Sequence, residues 1–391
     1  MKYLPSSRPF IVGQPVNILF VIDQLCEIGG AERMLLNMIR LLPTERFQSR
    51  IMTFKIATDL ELFRNLPCPH VVYPIRSTYD LNALRTIFSI RRFLDAERIQ
   101  IVHTFHETSD LWAGPISKIG SRRILVSSRR DMGILRSSKH DLGYRCMNSL
   151  FDLVLTVSEE VRQFCIERDR ISPRKVVTLY NGIELGKFPP IKREEGLRST
   201  LGIPTHAPLI VTVGNVRPVK GIDILIEAAA KVVQQNPEAV FLVLGRISDG
   251  EYFRQLQTMV QRLGVREKVR FVSESAQILS TLRASNVFCL PSRSEGFSNA
   301  LIEAMACELP CVATRVGGNA EAIEDGQSGY VVESEDSDAI ADRILKLLRD
   351  PSMARTMGKT GRKIVEAKFT SEIMMRKLVA LYEHLLQESR N

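Results

Sequence analysis

Short apolar runs, each closed by a glycine or a polar turn and followed by a stretch with helical spacing, recur along the chain. Residues 16–22 form the first such run. It leads to Gly29-Gly30, and over residues 31–42 Met34, Leu35, Met38 and Leu42 fall at helical intervals. Further short runs lie at 99–102, 124–127 and 153–157, the last closing on Ser158-Glu159-Glu160, a helix entry. Residues 176–179 run into the turn Asn181-Gly182. After a charged stretch at 191–196 the alternation restarts. Strands are predicted at 209–213, 240–244, 269–272, 287–290 and 311–314, with helices at 223–233 and 252–263 and other helical patterns between. Alternating strands and helices imply parallel sheets covered on both faces. Two such series predict an α/β fold of two Rossmann-like, doubly wound domains facing across a cleft. Ligands of such sheets bind beyond the carboxyl ends of the strands.

Length supports the division, because 391 residues exceed what one hydrophobic core usually serves. A hydrophobic content of 45% with 25% charged residues excludes a disordered or collagen-like chain. The net charge of +9 is lopsided: residues 1–190 carry 27 basic against 19 acidic groups, and residues 191–391 carry 26 against 25. The first half is therefore expected to face an anion such as a membrane surface or a lipid-linked phosphate. Nucleic acid is not expected, for want of zinc spacing, an aromatic RNA-binding run or a basic heptad array. The seven cysteines are scattered; Cys307 and Cys311 sit in apolar surroundings and read as buried free thiols, which fits a reducing cytoplasm. The N-terminal stretch lacks the apolar core of a signal peptide, and no run approaches the ~18–20 apolar residues of a membrane span.

Three segments carry chemistry. In Pro291-Ser-Arg-Ser-Glu-Gly-Phe-Ser-Asn-Ala-Leu-Ile-Glu303 a strand ends, a polar loop follows, and a helix starts near Ser298 or Asn299, both good N-caps. Glu295 lies in the loop and Glu303 just over one turn into the helix. Two carboxylates flanking a helix start suit a ligand with a phosphate and many hydroxyls. The second segment, Gly214-Asn-Val-Arg217-Pro-Val-Lys220-Gly221, places an arginine and a lysine three apart in a glycine-bounded loop, a pairing suited to a diphosphate. The third is the glycine turn Gly29-Gly30, where a ligand can approach the backbone.

Together these segments resemble the retaining nucleotide-sugar glycosyltransferases of GT-B fold, glycosyltransferase family 4 (glycosyl transferases group 1). The resemblance runs from about Asn17 to Tyr382. Its most specific part is Glu295 and Glu303 eight apart, preceded by Leu-Pro-Ser and followed by Ala-Met-Ala, then Val316-Gly-Gly-Asn-Ala-Glu321 and Asp325-Gly-Gln-Ser-Gly329. It implies a catalytic set of Arg217, Lys220, Glu295 and His106. It implies donor contacts at Gly214, Gly245, Gly296, Phe297, Ser298, Asn299 and Glu303, with Glu303 on the nucleotide ribose and Glu295 on the donor sugar. Gly29, Gly30 and Asp131 would serve phosphates and acceptor. It implies an acceptor domain over 1–187, a nucleotide-sugar domain over 188–368, and a C-terminal helix at 369–391 returning to the first. The chain departs from the family at Asn215, where arginine is common, and at Glu308, where glycine is common. Ser127-Ser-Arg-Arg-Asp131 stands where many members have a histidine, so either His106 or Asp131 takes the sugar-facing role; His103 reads as structural. The bunching of Arg122, Arg123, Arg129, Arg130, Arg136, Lys139 and Arg145 favours an anionic acceptor or membrane.

The implied activity is metal-independent, same-face transfer of a sugar from UDP or GDP to a glycan or lipid-linked acceptor in cell-surface polysaccharide or glycolipid synthesis. No cofactor is expected, and the location is cytoplasmic or peripheral on the inner face of the plasma membrane. A non-catalytic nucleotide-sugar-binding protein and a GT-B-fold epimerase are the rival readings. A dinucleotide oxidoreductase is disfavoured, because Gly29-Gly30 does not complete a G-x-G-x-x-G fingerprint.

Overall fold

The computed structural model describes residues 14–26, 29–57, 64–75, 81–133, 136–189, 195–273 and 278–389. The N-terminal stretch 1–13 and most of the charged stretch, 191–194, lie outside the described residues. The chain divides into two compact units, Met1–Asn181 with Glu372–Asn391, and Gly182–Ser371.

The first unit is built on a seven-stranded sheet of β1 (Val16–Leu25), β2 (Phe47–Ile56), β3 (His70–Val72), β4 (Ile101–Phe105), β5 (Ile124–Arg129), β6 (Leu153–Thr156) and β7 (Val176–Thr178), in the order β3-β2-β1-β4-β5-β6-β7. All its pairings are parallel. Ile18, Phe20 and Ile22 of β1 are wholly buried with Met34, Leu35 and Met38 of the helix Gly30–Leu41. The C-terminal helix, Ser371–Glu388, closes the same core through Met374, Leu378, Leu381, Tyr382 and Leu385. Burial of that apolar stripe, at ~25 cal/mol per Å², ties the end of the chain to the unit that holds its beginning.

The second unit holds β8 (Leu209–Val213), β9 (Val240–Leu244), β10 (Val269–Val272), β11 (Val287–Leu290), β12 (Cys311–Thr314) and β13 (Gly329–Val332), in the order β10-β9-β8-β11-β12-β13, again all parallel. Helices Ile222–Gln235 and Ser337–Arg349 bury Ile224, Ala228, Ile340 and Ile344 in its core. Cys289, Cys307 and Cys311 are buried free thiols, and burial pushes Cys307 up to about 12.

Both sheets are doubly wound, and each strand order reverses once, between β1 and β4 and between β8 and β11. Such reversals open the crevices in which α/β proteins bind ligands. Residues 182–187 go with the second unit, although the sequence boundary falls at 187. Ile183 exchanges hydrogen bonds with Phe369 and Ser371 at 3.0 and 2.9 Å, and Gly182 lies so close to the Thr370 backbone that a Cβ has no room. Among the described residues no helix is long and apolar enough to cross a membrane.

Candidate functional site

The reversal between β8 and β11 brings two of the sequence segments together. The loop after β8 turns at Gly221 with φ of +62°, and the site where its Cβ would stand is filled by the Pro291 carbonyl oxygen. Glycine is required here twice over, by the left-handed backbone and by the close approach. The two loops are then stitched. Arg293 N–H donates to Val219 O at 2.8 Å, and the Arg293 guanidinium donates to Pro218 O at 2.8 Å and to both Asp223 oxygens at 2.8 and 2.7 Å. Glu335 accepts two more bonds from it. The hydrogen bonds it donates to Asp223, with those to Glu335, hold Arg293 well above its usual range. Burial would raise the Asp223 carboxyl, but bonds from Arg293 and Tyr252 outweigh it and keep the group below the ordinary carboxylate range.

On this scaffold Lys220 and Glu295 meet, Nζ to Oε1 at 2.7 Å, and Ser292 Oγ donates to the same oxygen at 2.6 Å. The Glu295 side chain is only 9% exposed, whereas Lys220 is 23% exposed. Arg217 stands beside them on the surface with no side-chain hydrogen bond or ion pair among the described residues. Gly214 and Gly245 are in backbone contact: a Cβ on Gly245 would fall on the Gly214 carbonyl, and Gly214 itself lies under the Lys220 stem. Gly296 O accepts from Gly318 N–H at 2.8 Å, and Phe297 packs on Phe369 with centroids 5.1 Å apart. Ser298 is the N-cap of the helix Asn299–Ala306, its Oγ accepting from Leu301 N–H at 3.3 Å. Glu303 is half-buried one turn further along.

In the first unit the reversal gathers the loops after β1 and β4. Gly29 precedes the helix start, and its N–H donates to the Glu32 carboxylate at 3.0 Å. His106 adopts φ of +74°, a conformation costing a non-glycine residue about 1–3 kcal/mol. The turn beyond it is held by Asp23 at the end of β1, which accepts from Thr108 N–H at 2.9 Å and from Ser109 N–H at 2.6 Å. Asp131 accepts from Gly133 N–H at 2.6 Å. Between these groups lies Arg130, which donates to Asn181 at 2.7 Å and is within Coulombic reach of Glu32 and Asp131. Burial pushes its guanidinium down to about 10 against the pull of those carboxylates. His103 is structural: it is wholly buried, with Nδ1 2.6 Å from the Tyr382 hydroxyl and Nε2 2.8 Å from Ser128 Oγ.

The arginine cluster is not one basic face, a correction to the expectation from sequence. Arg129 is buried against Asp110 at 3.0 Å and Asp169 at 3.4 Å, with its guanidinium 3.8 Å from the Tyr144 ring centroid. Arg136 is buried on Asp169 at 3.0 Å, and Arg123 pairs with Asp95. Carboxylates distant in sequence neutralise these three, so only Arg122, Lys139 and Arg145 of the cluster project freely. Among the described residues no group of three or more His, Cys, Asp or Glu side chains is placed to hold a metal ion.

Two family models match the chain, Glycosyltransferase Family 4 over residues 28–187 and Glycosyl transferases group 1 over residues 194–364. The N-acetyl-alpha-D-glucosaminyl L-malate synthase of Bacillus anthracis is 31% identical over 297 residues, 75% of this chain and 70% of that enzyme. The chain belongs to the GT-B glycosyltransferases. Another glycosyltransferase, the UDP-Gal:alpha-D-GlcNAc-diphosphoundecaprenol alpha-1,3-galactosyltransferase of Escherichia coli, is 23% identical over 91% of this chain and 94% of its own length. Several other curated relatives are matched over only half to two thirds of their length. A solved structure of HepE from Anabaena in complex with UDP-glucose superposes with a TM-score of 0.81 at 22% identity, over 94% of this chain and 99% of that one. Both doubly wound sheets are thus those of a GT-B glycosyltransferase. Four residues that shape its two reversals were not foreseen as site residues: Ser292, Arg293, Asp23 and Arg130. Spacing carries no signal for Arg293, Asp23 and Arg130, because each acts on a loop far away in sequence, whereas Ser292 acts on Glu295 only three residues on.

Proposed function

We propose that this glycosyltransferase transfers a sugar, with retention, from a nucleoside-diphosphate sugar to a glycan or lipid-linked acceptor in cell-surface polysaccharide or glycolipid synthesis. The observation that carries the reading is the Lys220–Glu295 pair at the β8/β11 reversal, with Arg217 exposed on the same loop and without an ion pair among the described residues. Lys220 and Arg217 supply charge for the diphosphate, aided by the helix start at Ser298. Glu295 faces the donor sugar and Glu303 the ribose. A uridine nucleotide is the favoured donor, since HepE was solved with UDP-glucose and the Escherichia coli relative is named for UDP-Gal. Family membership favours this reading over an epimerase or a non-catalytic binder.

Chemically, the leaving phosphate oxygen takes the acceptor proton on the face it departs from, and the protein positions the partners and stabilises the departing charge. Lys220 and Arg217 neutralise that charge, so no metal is required in the reading. The first unit serves the acceptor, through the Gly29-Gly30 turn and the loops carrying His106 and Asp131. An anionic membrane surface at the cytoplasmic leaflet is part of this reading, and exposed side chains of the first unit support it. Arg85, Phe88 and Arg92 share one face of the helix Leu81–Ala96, with Phe88 76% exposed. Arg91 donates to the carbonyl of Ile119, itself 55% exposed, and Arg122 follows. Apolar tips ringed by arginines suit an anionic interface.

The test is release of nucleoside diphosphate from a panel of sugar nucleotides, with and without lipid-linked acceptor. Lys220→Ala should lower turnover roughly 10²–10³-fold, as deleting one transition-state donor does, whereas Glu303→Ala should chiefly raise the donor KM. Activity should survive EDTA after dialysis. Near-normal turnover in Lys220→Ala would overturn the diphosphate assignment.

A further inference from the structure

Glu295 is held unsymmetrically. Its Oε1 accepts from both Lys220 Nζ and Ser292 Oγ, at 2.7 and 2.6 Å. Its Oε2 accepts nothing among the described residues, although the side chain is nine-tenths buried. Ser292 delivers its hydroxyl from a fixed backbone. It is fully buried, its carbonyl accepts from Thr314 Oγ1 at 2.6 Å, and the next residue is tied to Val219 O at 2.8 Å. Lys220 is a poorer anchor, being a point charge on a flexible four-carbon stem. It also has a second task, because a diphosphate draws the ammonium toward itself. A carboxylate held by Lys220 alone would be free to turn when that happens.

We propose that Ser292 is a positioning residue of the donor site: it keeps Oε1 of Glu295 in place and so aims Oε2 at a hydroxyl of the transferred sugar. The inference rests on the donor reading above. It adds that recognition of the sugar, as distinct from the nucleotide, depends on a serine that touches neither. A carboxylate accepting a hydroxyl proton makes a charge-assisted bond, whose strength depends on aim and on the carboxyl staying ionised. Loss of the Ser292 donor spoils the aim, because Oε1 is then left to Lys220 alone.

Ser292→Ala and Ser292→Thr in the full chain test this. Binding titrations would use UDP and the UDP-sugar that the release assay shows to be turned over. In Ser292→Ala, UDP affinity should stay within about twofold of wild type. UDP-sugar affinity should fall about tenfold, the lower end for losing a hydrogen bond to a charged group. Ser292→Thr keeps the hydroxyl and should restore UDP-sugar affinity. Equal losses for UDP and UDP-sugar, or a Thr variant that behaves like Ala, would overturn the proposal. If wild type binds neither UDP nor any UDP-sugar, the donor reading itself fails. Thermal midpoints of the variants show that each has folded.

Discussion

Gly221→Ala adds one methyl group to the most constrained glycine of the β8/β11 reversal. The backbone there has φ of +62°, and the new Cβ would fall on the carbonyl oxygen of Pro291, with Ile224 Cδ1 only 3.1 Å away. The left-handed conformation costs an alanine roughly 1–2 kcal/mol. Overpacking a rigid neighbour adds about 1–3 kcal/mol, because carbonyl backbone cannot swing aside as a side chain can. Gly264 separates the two contributions: it has φ of +69° in the same unit, with nothing within 4 Å of its Cβ position. Gly264→Ala should therefore cost only the conformational part. The difference, about 1–3 kcal/mol, amounts to roughly 2–12 °C in midpoint for a unit of this size. Scanning calorimetry of both variants measures it. The clash also forces the loops apart, so Gly221→Ala should lose UDP-sugar binding more than tenfold while Gly264→Ala keeps it. If Gly221→Ala is no less stable than Gly264→Ala and binds donor normally, the close approach of the loops is not what assembles the site.

His103 supplies a pH dependence. Burial first, and then the Arg130 charge, lowers its pKa to about 3 from the ordinary 6.5 of a histidine. The unfolded chain binds a proton that the fold refuses, so stability is full above pH ~6.5 and lost as pH falls, by about 1.4 kcal/mol at pH 5.5. His103→Gln should lose less on going from pH 7.5 to 5.5, and equal losses in urea titrations would refute the assignment. At the surface, Phe88→Ser combined with Arg92→Ser should abolish co-sedimentation with anionic vesicles at low salt, and wild-type binding should weaken as salt rises. Equal, negligible wild-type binding to anionic and neutral vesicles would leave a soluble acceptor as the better reading.

Much of the fold was legible because parallel strands buried on both faces read as continuous apolar runs. β1, β8, β9, β11 and β12 all stand out in this way. β2 did not. Its first half carries Gln48, Ser49 and Arg50, and it is a strand because β1 pairs with it from Val16↔Phe47 to Leu25↔Ile56. The motif residues were also legible, since a strand end, a glycine turn and a helix cap are local features. Ser298 and Asn299 both read as caps of the helix after the loop, and Ser298 is the one that caps.

What sequence could not decide was which of these loops are adjacent and what each charge meets. Arg129, Arg130 and Arg136 look alike in the chain. The fold buries the first and last against carboxylates up to 40 residues away and gives Arg130, among the described residues, the Asn181 side chain as its hydrogen-bond partner. Lys220 and Glu295 are 75 residues apart, and they meet only because β8 and β11 lie side by side where the strand order reverses. Local pattern therefore determined the elements, their parallel pairing and the residue types at their carboxyl ends, because backbone propensity and apolar period act over a few residues. The pairing of charges was decided by the tertiary structure, because an ion pair forms between whatever groups the sheet order brings within a few ångströms, regardless of their distance along the chain.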